Sequence, residues 1–440
     1  MKKNYFKTFF VVSALLFTKA NVNAQTWSTV GTGMSGDVNA TVVHNGELYA
    51  GGTFTTAGGN AASHIAKWNG TSWSAIGSGI SGACVYALAV YNNELYAGGS
   101  FSLAGGNAAA NIAKWNGTAW MPLTNGTNGD VYVMAVYNNE LYVGGNYTTA
   151  GGNAHSNISK WNGSAWSAVG AGNANNSVVS LLVHNNELYV GGGFSTIGAT
   201  GAASIAKWNG TAWAALGSGT TGGSGGVLSM AVYGGDLHVG GNFTTAGGNP
   251  ASRVAKWNGS AWSALGAGLS GLAGSYALTT YNGELYTAGL FTTAGGNPAS
   301  RVARWNGSTW STLTSGVDSY GWSLCVYNSD LYIGGNFTTA GGNSANYIAK
   351  WNTPASGLHD YSVNNDLTIF PDPATTDITI RLKEYSPSKL QVINSKGQVC
   401  LELKIDSENT NLDISPLSQG MYFVKITNER TTIVKKIIKH

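Results

Sequence analysis

Apolar residues in this chain alternate with polar ones inside short runs, and the runs themselves recur. Residues 85–123 show one unit: VYALAVY, NN, ELYAGGSF, SLAGGNAAA, NIAKW, NG and TAWMPL. Alternation over a few residues, bounded by Asn, Gly and Ser, predicts four short strands, a to d. The a–b link reads Asn45-Gly46, Asn92-Asn93, Asn138-Asn139, Asn185-Asn186, Gly234-Gly235, Asn282-Gly283 or Asn328-Ser329, and the c–d link is Asn-Gly in all six complete copies. Two-residue hairpins need positive φ, which Asn and Gly tolerate best, so both links are expected to be tight turns. In that register Trp68 lies opposite Thr71, and Trp68 and Trp73 are diagonal neighbours on one sheet face.

Tryptophan carries the longer period. Trp68, Trp115, Trp161, Trp208, Trp257, Trp305 and Trp351 are separated by 47, 46, 47, 49, 48 and 46 residues, and a second series runs Trp27, Trp73, Trp120, Trp166, Trp213, Trp262 and Trp310. The repeats open on the second series and close on the first. Seven units exist only if the two ends complete one together, which predicts a ring. The expected fold is all-β: a seven-bladed β-propeller over residues 25–352, closed by Trp27 to Val30 beside the last unit. A linear solenoid would need capping repeats and leaves the offset unexplained. Fourteen of the fifteen Trp are thereby assigned to packing between blades.

Strand parity separates the two faces of the ring. The a–b and c–d links fall on one side; the longer b–c and d–a loops fall on the other, where binding residues concentrate on a rigid scaffold. Strand a begins at that face, and its second position reads Asn39, Tyr86, Tyr132, Val179, Leu228, Tyr276 and Trp322. Trp322 stands outside both series. Asn39, Tyr86, Tyr132, Tyr276 and Trp322 are the candidate ligand-binding residues, because flat apolar rings with polar handles could stack on sugars. Ordinary packing beneath the long loops is the competing reading.

Charge adds little chemistry. Residues 1–24 carry four Lys and no acid, residues 25–352 nine Lys/Arg and ten Asp/Glu, and residues 353–440 ten of each. Beyond residue 24 the chain is nearly neutral and lacks the basic face that nucleic acid requires. The acids recur mainly once per unit (Glu47, Glu94, Glu140, Glu187, Asp236, Glu284, Asp330), as do Lys67, Lys114, Lys160, Lys207, Lys256, Arg304 and Lys350. Sevenfold repetition suits structural ion pairs better than catalysis, which needs one asymmetric constellation. His44, His64, His155, His184 and His238 lack metal-ligand spacing, and the GGN loop has no carboxylate for calcium. No catalytic residue, metal or cofactor is expected. Cys84 and Cys325 read as small buried side chains.

Residues 1–24 have a basic start, an apolar run from Phe9 to Phe17 and small residues at Val22 and Ala24, the three-part pattern of a cleaved secretory signal peptide. No later stretch is long enough for a transmembrane helix. After Trp351, Gly and Trp thin out. Residues 353–364 read as a linker, and residues 365–440 predict a small β-sandwich.

The segments LYAGG, GGNFTTAGGN and IAKWNGTAW resemble kelch-like and WD-repeat-like propellers of secreted bacterial proteins, although the WD dipeptide is absent. Neither the Asp-box repeats nor the arginine cluster of sialidase-type propellers is present. In the tail, the Pro371 to Ala374 segment, Ile393 to Gly397, Asp413 to Tyr422 and the basic end resemble the C-terminal sorting domain of the type IX secretion system, with Asp372 where Asn is usual. That resemblance implies contact with the type IX secretion machinery through residues 366–440, and release or surface attachment in a Gram-negative bacterium. The chain therefore reads as a secreted or cell-surface, non-catalytic propeller that binds glycan or protein through its long-loop face. A carbohydrate-active or oxidative propeller enzyme and a repeat adhesin without a discrete pocket are the alternatives.

Overall fold

Asn45 and Gly46 both take positive φ, 48° and 74°, and the turn they form pairs His44 directly with Glu47. The other a–b links repeat this two-residue geometry, for instance Asn328 and Ser329 at 47° and 64° with Tyr327 opposite Asp330. These turns come from a computed structural model that describes residues 25–352 except 171, 224 and 225, and residues 367–439 except 372, 383–387, 395–397, 406 and 428–431. Residues 1–24, expected to be a signal peptide, residues 353–364, expected to be a linker, Asp372 and Gly397 lie outside the described residues.

The c–d link differs from the expected turn. Asn69 Oδ1 accepts hydrogen bonds from Thr71 N, Thr71 Oγ1 and Ser72 N, at 2.9, 2.9 and 2.8 Å. That side-chain cap stretches the loop to four residues, 69–72, so Trp68 pairs directly with Trp73. The rings sit 5.3 Å apart on one face, closer than diagonal neighbours would. The TTAGGN loop also carries order of its own: Thr56–Ala57 pairs with Asn60–Ala61 across Gly58 and Gly59.

All described elements are strands. Among the described residues, seven antiparallel sheets share one plan, a–b–c–d from the inside outward. The first holds Val38–His44, Glu47–Gly52, Ile65–Trp68 and Trp73–Ala75. We number these sheets as modules 1 to 7. Module 7 takes strands a to c from Gly321–Tyr327, Asp330–Gly335 and Ile348–Asn352, and its strand d is Thr26–Thr29. Thr26 pairs with Asn352, Trp27 with Trp351, Ser28 with Lys350 and Thr29 with Ala349. Inner strands touch in cyclic order, with module 7 against module 1, so this all-β fold is propeller-like.

Tryptophan supplies the joints between modules. Trp73 Nε1 donates to Val30 O at 3.0 Å, Trp120 to Ile76 O at 3.0 Å, and Trp310 to Leu265 O at 2.9 Å. Trp27 makes the same bond across the two chain ends, to Leu313 O at 3.1 Å. Burying one such ring contributes about 4–6 kcal/mol as an upper figure, at about 25 cal/mol per Å².

Each inner strand carries a bulge towards its long-loop end, which strict alternation did not anticipate. Val38 opposes Gly52 and Ala40 opposes Gly51, leaving Asn39 as the extra residue. The same irregularity lies between Val85 and Ala87, Val131 and Val133, Val178 and Ser180, Val227 and Ser229, Ser275 and Ala277, and Gly321 and Ser323. Gly52 makes it possible: a Cβ there would overlap the carbonyl oxygen of Asp37.

The described residues from Leu367 to Lys439 belong to a second compact unit. A three-stranded and a four-stranded sheet share one apolar core that includes Ile378, Ile380, Leu390, Val392, Leu412 and Val424.

Candidate functional site

The bulge decides where the candidate side chains stand. Asn39, Tyr86, Tyr132, Tyr276 and Trp322 are all bulge residues, and so are Val179 and Leu228. A bulge re-aims its extra side chain. All seven are half-buried at the long-loop end of the inner strands, so part of each still meets solvent. In cyclic order Tyr276, Trp322, Asn39, Tyr86 and Tyr132 belong to modules 6, 7, 1, 2 and 3, a continuous arc. Val179 and Leu228 fill the remaining two places.

Two aromatic clusters lie on this arc. Tyr86 and Tyr132 meet edge to face with centroids 5.5 Å apart. Trp322 stacks on Tyr320 at 4.7 Å and 12°, and Tyr276 leans against Trp322 at 4.7 Å. Between the clusters, Asn39 Oδ1 accepts a hydrogen bond from Cys84 Sγ at 3.3 Å. Tyr320 and Cys84 were not among the sequence candidates for this site. Both precede the bulge by two residues and come into contact with it only once the strand bends.

The seven repeated acids and bases do form ion pairs, from Glu47–Lys67 at 2.8 Å to Asp330–Lys350 at 2.8 Å. Subtracting them leaves Asp37, Asp130, Asp318, Arg253 and Arg301 in the repeat region. All five stand at the long-loop end. Both arginines are tied to backbone: Arg253 Nη1 and Nη2 donate to Leu269 O and Gly271 O at 3.1 and 2.9 Å, and Arg301 Nη1 donates to Val317 O at 3.4 Å. His64 has the same positive φ and the same task, with Nδ1 2.9 Å from Ile80 O.

Asp37 and Asp130 bear on the arc. Tyr132 donates its hydroxyl to Asp130 Oδ2 at 3.2 Å, and Asn336 Nδ2 donates to Asp37 Oδ1 at 2.6 Å. Burial, then the charges of Asp37 and Asp130, push the Cys84 thiol up to about 12. Burial and then Cys84 and Asp130 raise the Tyr86 phenol, while burial and then Asp130 raise that of Tyr132. Burial and then Tyr320 raise Tyr276 against an opposing hydrogen bond with Asn242. Each shift favours the neutral phenol or thiol and disfavours a nucleophile at neutral pH. Among the described residues no three His, Cys, Asp or Glu gather as a metal set.

In modules 2 and 6 the inner hairpin is paired as continuous strand out to the long-loop end. Their a–b hairpins run on past the bulge as Ile80–Tyr91 with Glu94–Ala104 and Leu269–Tyr281 with Glu284–Ala294. Modules 7 and 1, in which the same end closes on isolated bridges (Val317 with Ala340, Met34 with Ala57), lie between these two hairpins and carry Trp322 and Asn39. Beside the first lies a shallow depression of about 680 Å³, lined in part by Ala83, Phe101, Asn111 and Asn125.

Residues 368–440 match the family described as the secretion system C-terminal sorting domain. The tail is a type IX sorting domain. It implies interaction with the secretion machinery and marks a bacterial protein secreted or held at the cell surface. Over 68 residues, 15% of its length, the chain is 32% identical to Beta-agarase A of Zobellia galactanivorans, of which it covers 12%. Its fold is similar to PorZ, an essential bacterial surface component of the type IX secretion system of Porphyromonas gingivalis, at TM-score 0.45 and 13% identity over 92% of this chain. It is also similar to the extracellular domain of BT4673 from B. thetaiotaomicron, at TM-score 0.44 and 11% identity over 95% of this chain. The chain spans 59% of the length of each of these two structures, and likenesses this distant carry no functional argument. No described helix is long and apolar enough to cross a membrane.

Proposed function

We propose that this chain is a seven-bladed β-propeller with a sorting β-sandwich at residues 365–440, and that it binds glycans at the long-loop mouth without turning them over. On this reading residues 1–24 are a signal peptide, and the sorting tail takes the protein across the outer membrane of a Gram-negative bacterium. The cyclic order of modules and the Trp27–Leu313 bond support the ring.

One observation carries the binding site: a position otherwise filled by Val or Leu holds Tyr276, Trp322, Asn39, Tyr86 and Tyr132 on one continuous arc. Packing alone would be served by the aliphatic residues seen at Val179 and Leu228. Half-buried rings held by neighbouring rings present apolar surface at low entropic cost, which is what stacking on pyranose faces requires. The raised phenol and thiol groups favour recognition over nucleophilic chemistry.

The test is a glycan array probed with the exported protein and with a Tyr86→Ala, Tyr132→Ala, Trp322→Ala variant shown to be folded by circular dichroism. The variant is expected to lose binding. Unchanged binding removes the aromatic arc from the site, and turnover of any bound glycan overturns the non-catalytic reading.

A further inference from the structure

We infer that the ligand at this mouth carries protonated amines: an amino sugar chain with free amino groups, in preference to a neutral or acidic one. The inference rests on the glycan reading above and narrows it. Its first support is the balance of charge left once the repeated ion pairs are set aside. Asp37 and Asp130 flank the segment that holds Cys84 and Tyr86, and both charges act on the Cys84 thiol. Each has one oxygen occupied by a neutral donor, Asn336 Nδ2 on Asp37 and the Tyr132 hydroxyl on Asp130. Among the described residues neither has a cation within ion-pair distance.

The second support is where the cations went. Seven of the nine in the repeat region pair with acids that follow the a–b turns, at the opposite end of the ring. Arg253 and Arg301 keep their charge but stand in modules 5 and 6, where they donate to the carbonyls of Leu269, Gly271 and Val317. An acidic glycan seated over modules 1 to 3 would therefore meet Asp37 and Asp130, while the two arginines outside the ion pairs stand in modules 5 and 6.

The third support is the rings themselves. Ammonium groups are attracted to the faces of Trp and Tyr, and a carboxylate beside the ring adds to that attraction. Tyr86, Tyr132 and Asp130 offer this pairing within one cluster. An N-acetylated sugar keeps the stacking surface and loses the charge.

Isothermal titration of the full exported protein with glucosamine tetramer and with N-acetylglucosamine tetramer tests this at about pH 5.5, where ordinary carboxylates remain ionised. The free-amine tetramer is expected to bind roughly tenfold tighter, and the advantage to shrink with added salt. An Asp37→Asn, Asp130→Asn variant is expected to bind the two tetramers equally, because Asn still accepts from Asn336 and Tyr132. Equal binding of both tetramers by the wild type, abolished by the aromatic triple variant, overturns the charge inference and leaves the glycan reading standing. A free-amine preference that survives in the Asp variant removes these carboxylates from recognition. No binding to either tetramer or to any arrayed glycan overturns both readings.

Discussion

Ala288 faces Gly321 across the joint between modules 6 and 7, where a Cβ on Gly321 would stand 2.7 Å from the Ala288 methyl. Most other joints show the reverse order: Gly51 faces Val85, Gly98 faces Val131, Gly144 faces Val178 and Gly191 faces Val227. Gly334 faces Val38 at the joint between the two ends of the repeat region, with the added Cβ 2.5 Å from Val38 Cγ1. One side of the joint must be small because the modules converge towards the axis, and it does not matter which side it is. Gly321→Ala is expected to destabilise the fold by about 1–3 kcal/mol, the usual cost of overpacking a filled site. In an Ala288→Gly background the cost falls. Recovery stays incomplete, because Ile333 Cδ1 also lies 3.0 Å from the added Cβ. A double-mutant cycle in urea measures the coupling; purely additive costs would separate the two positions.

Acid should loosen the loop that Asp318 orders. Burial pushes this carboxyl up, but hydrogen bonds from Thr339 N, Thr338 Oγ1 and Thr338 N outweigh it and hold the group below its ordinary range. Its folded pKa is thus below its unfolded one, so its stabilisation is full above the ordinary carboxylate range and disappears as pH falls through the folded pKa. The stability gap between wild type and Asp318→Ala should be constant near neutrality and close below about pH 4. A gap that stays open at low pH would show that charge plays no part.

What the sequence revealed, and what it hid, follows from the range of the forces involved. The a–b turns were legible because Asn45-Gly46 and its counterparts encode positive φ locally. The c–d loops were misread because Asn69 spends its side chain on Thr71 and Ser72, which dipeptide preference does not reveal. The bulges at Asn39 and its counterparts depend on Gly52 in the neighbouring strand, so alternation along one strand could not show them. At the candidate site, Tyr86, Tyr132, Tyr276 and Trp322 stood out as departures from a repeat. The Tyr320–Trp322 stack and the Cys84–Asn39 bond needed the bend and the neighbouring module. The unpaired Asp37 and Asp130 were within reach of subtraction alone, once the sevenfold acids and bases were paired off.

Thiol chemistry separates the three cysteines, all of them free. Cys84 is 3% exposed, with burial and two nearby aspartates pushing it up to about 12. Burial takes Cys325 up to about 11, against a smaller opposing influence of Thr41. Cys400 is exposed in the sorting domain. Since the thiolate is the reactive form, a disulfide reagent near pH 8 should titrate one thiol quickly in the full chain and three after denaturation. Fast labelling of Cys84 in the folded protein would contradict the packing at the Asn39 bulge.

The pairing of Trp27 with Trp351 gives the two ends of the repeat region a mechanical task that can be isolated. Thr26–Thr29 covers the outer edge of Ile348–Asn352, and without it that strand would present unpaired N–H and C=O groups to other chains. Trp27 is buried, lies 5.1 Å from Trp351 and holds Leu313 O; Trp213, at the equivalent place in module 4, is half-buried with a longer 3.4 Å bond to Val169 O. Trp27→Ala should therefore cost about 3–5 kcal/mol. Trp213→Ala should cost less, because its ring is less buried and the covalent chain keeps its strand in place. Deleting residues 25–30 should lower the melting temperature further and shift the protein towards higher-order species in size-exclusion chromatography. If the deletion leaves both unchanged, the amino-terminal strand is dispensable, and the ring holds through the contacts of its inner strands.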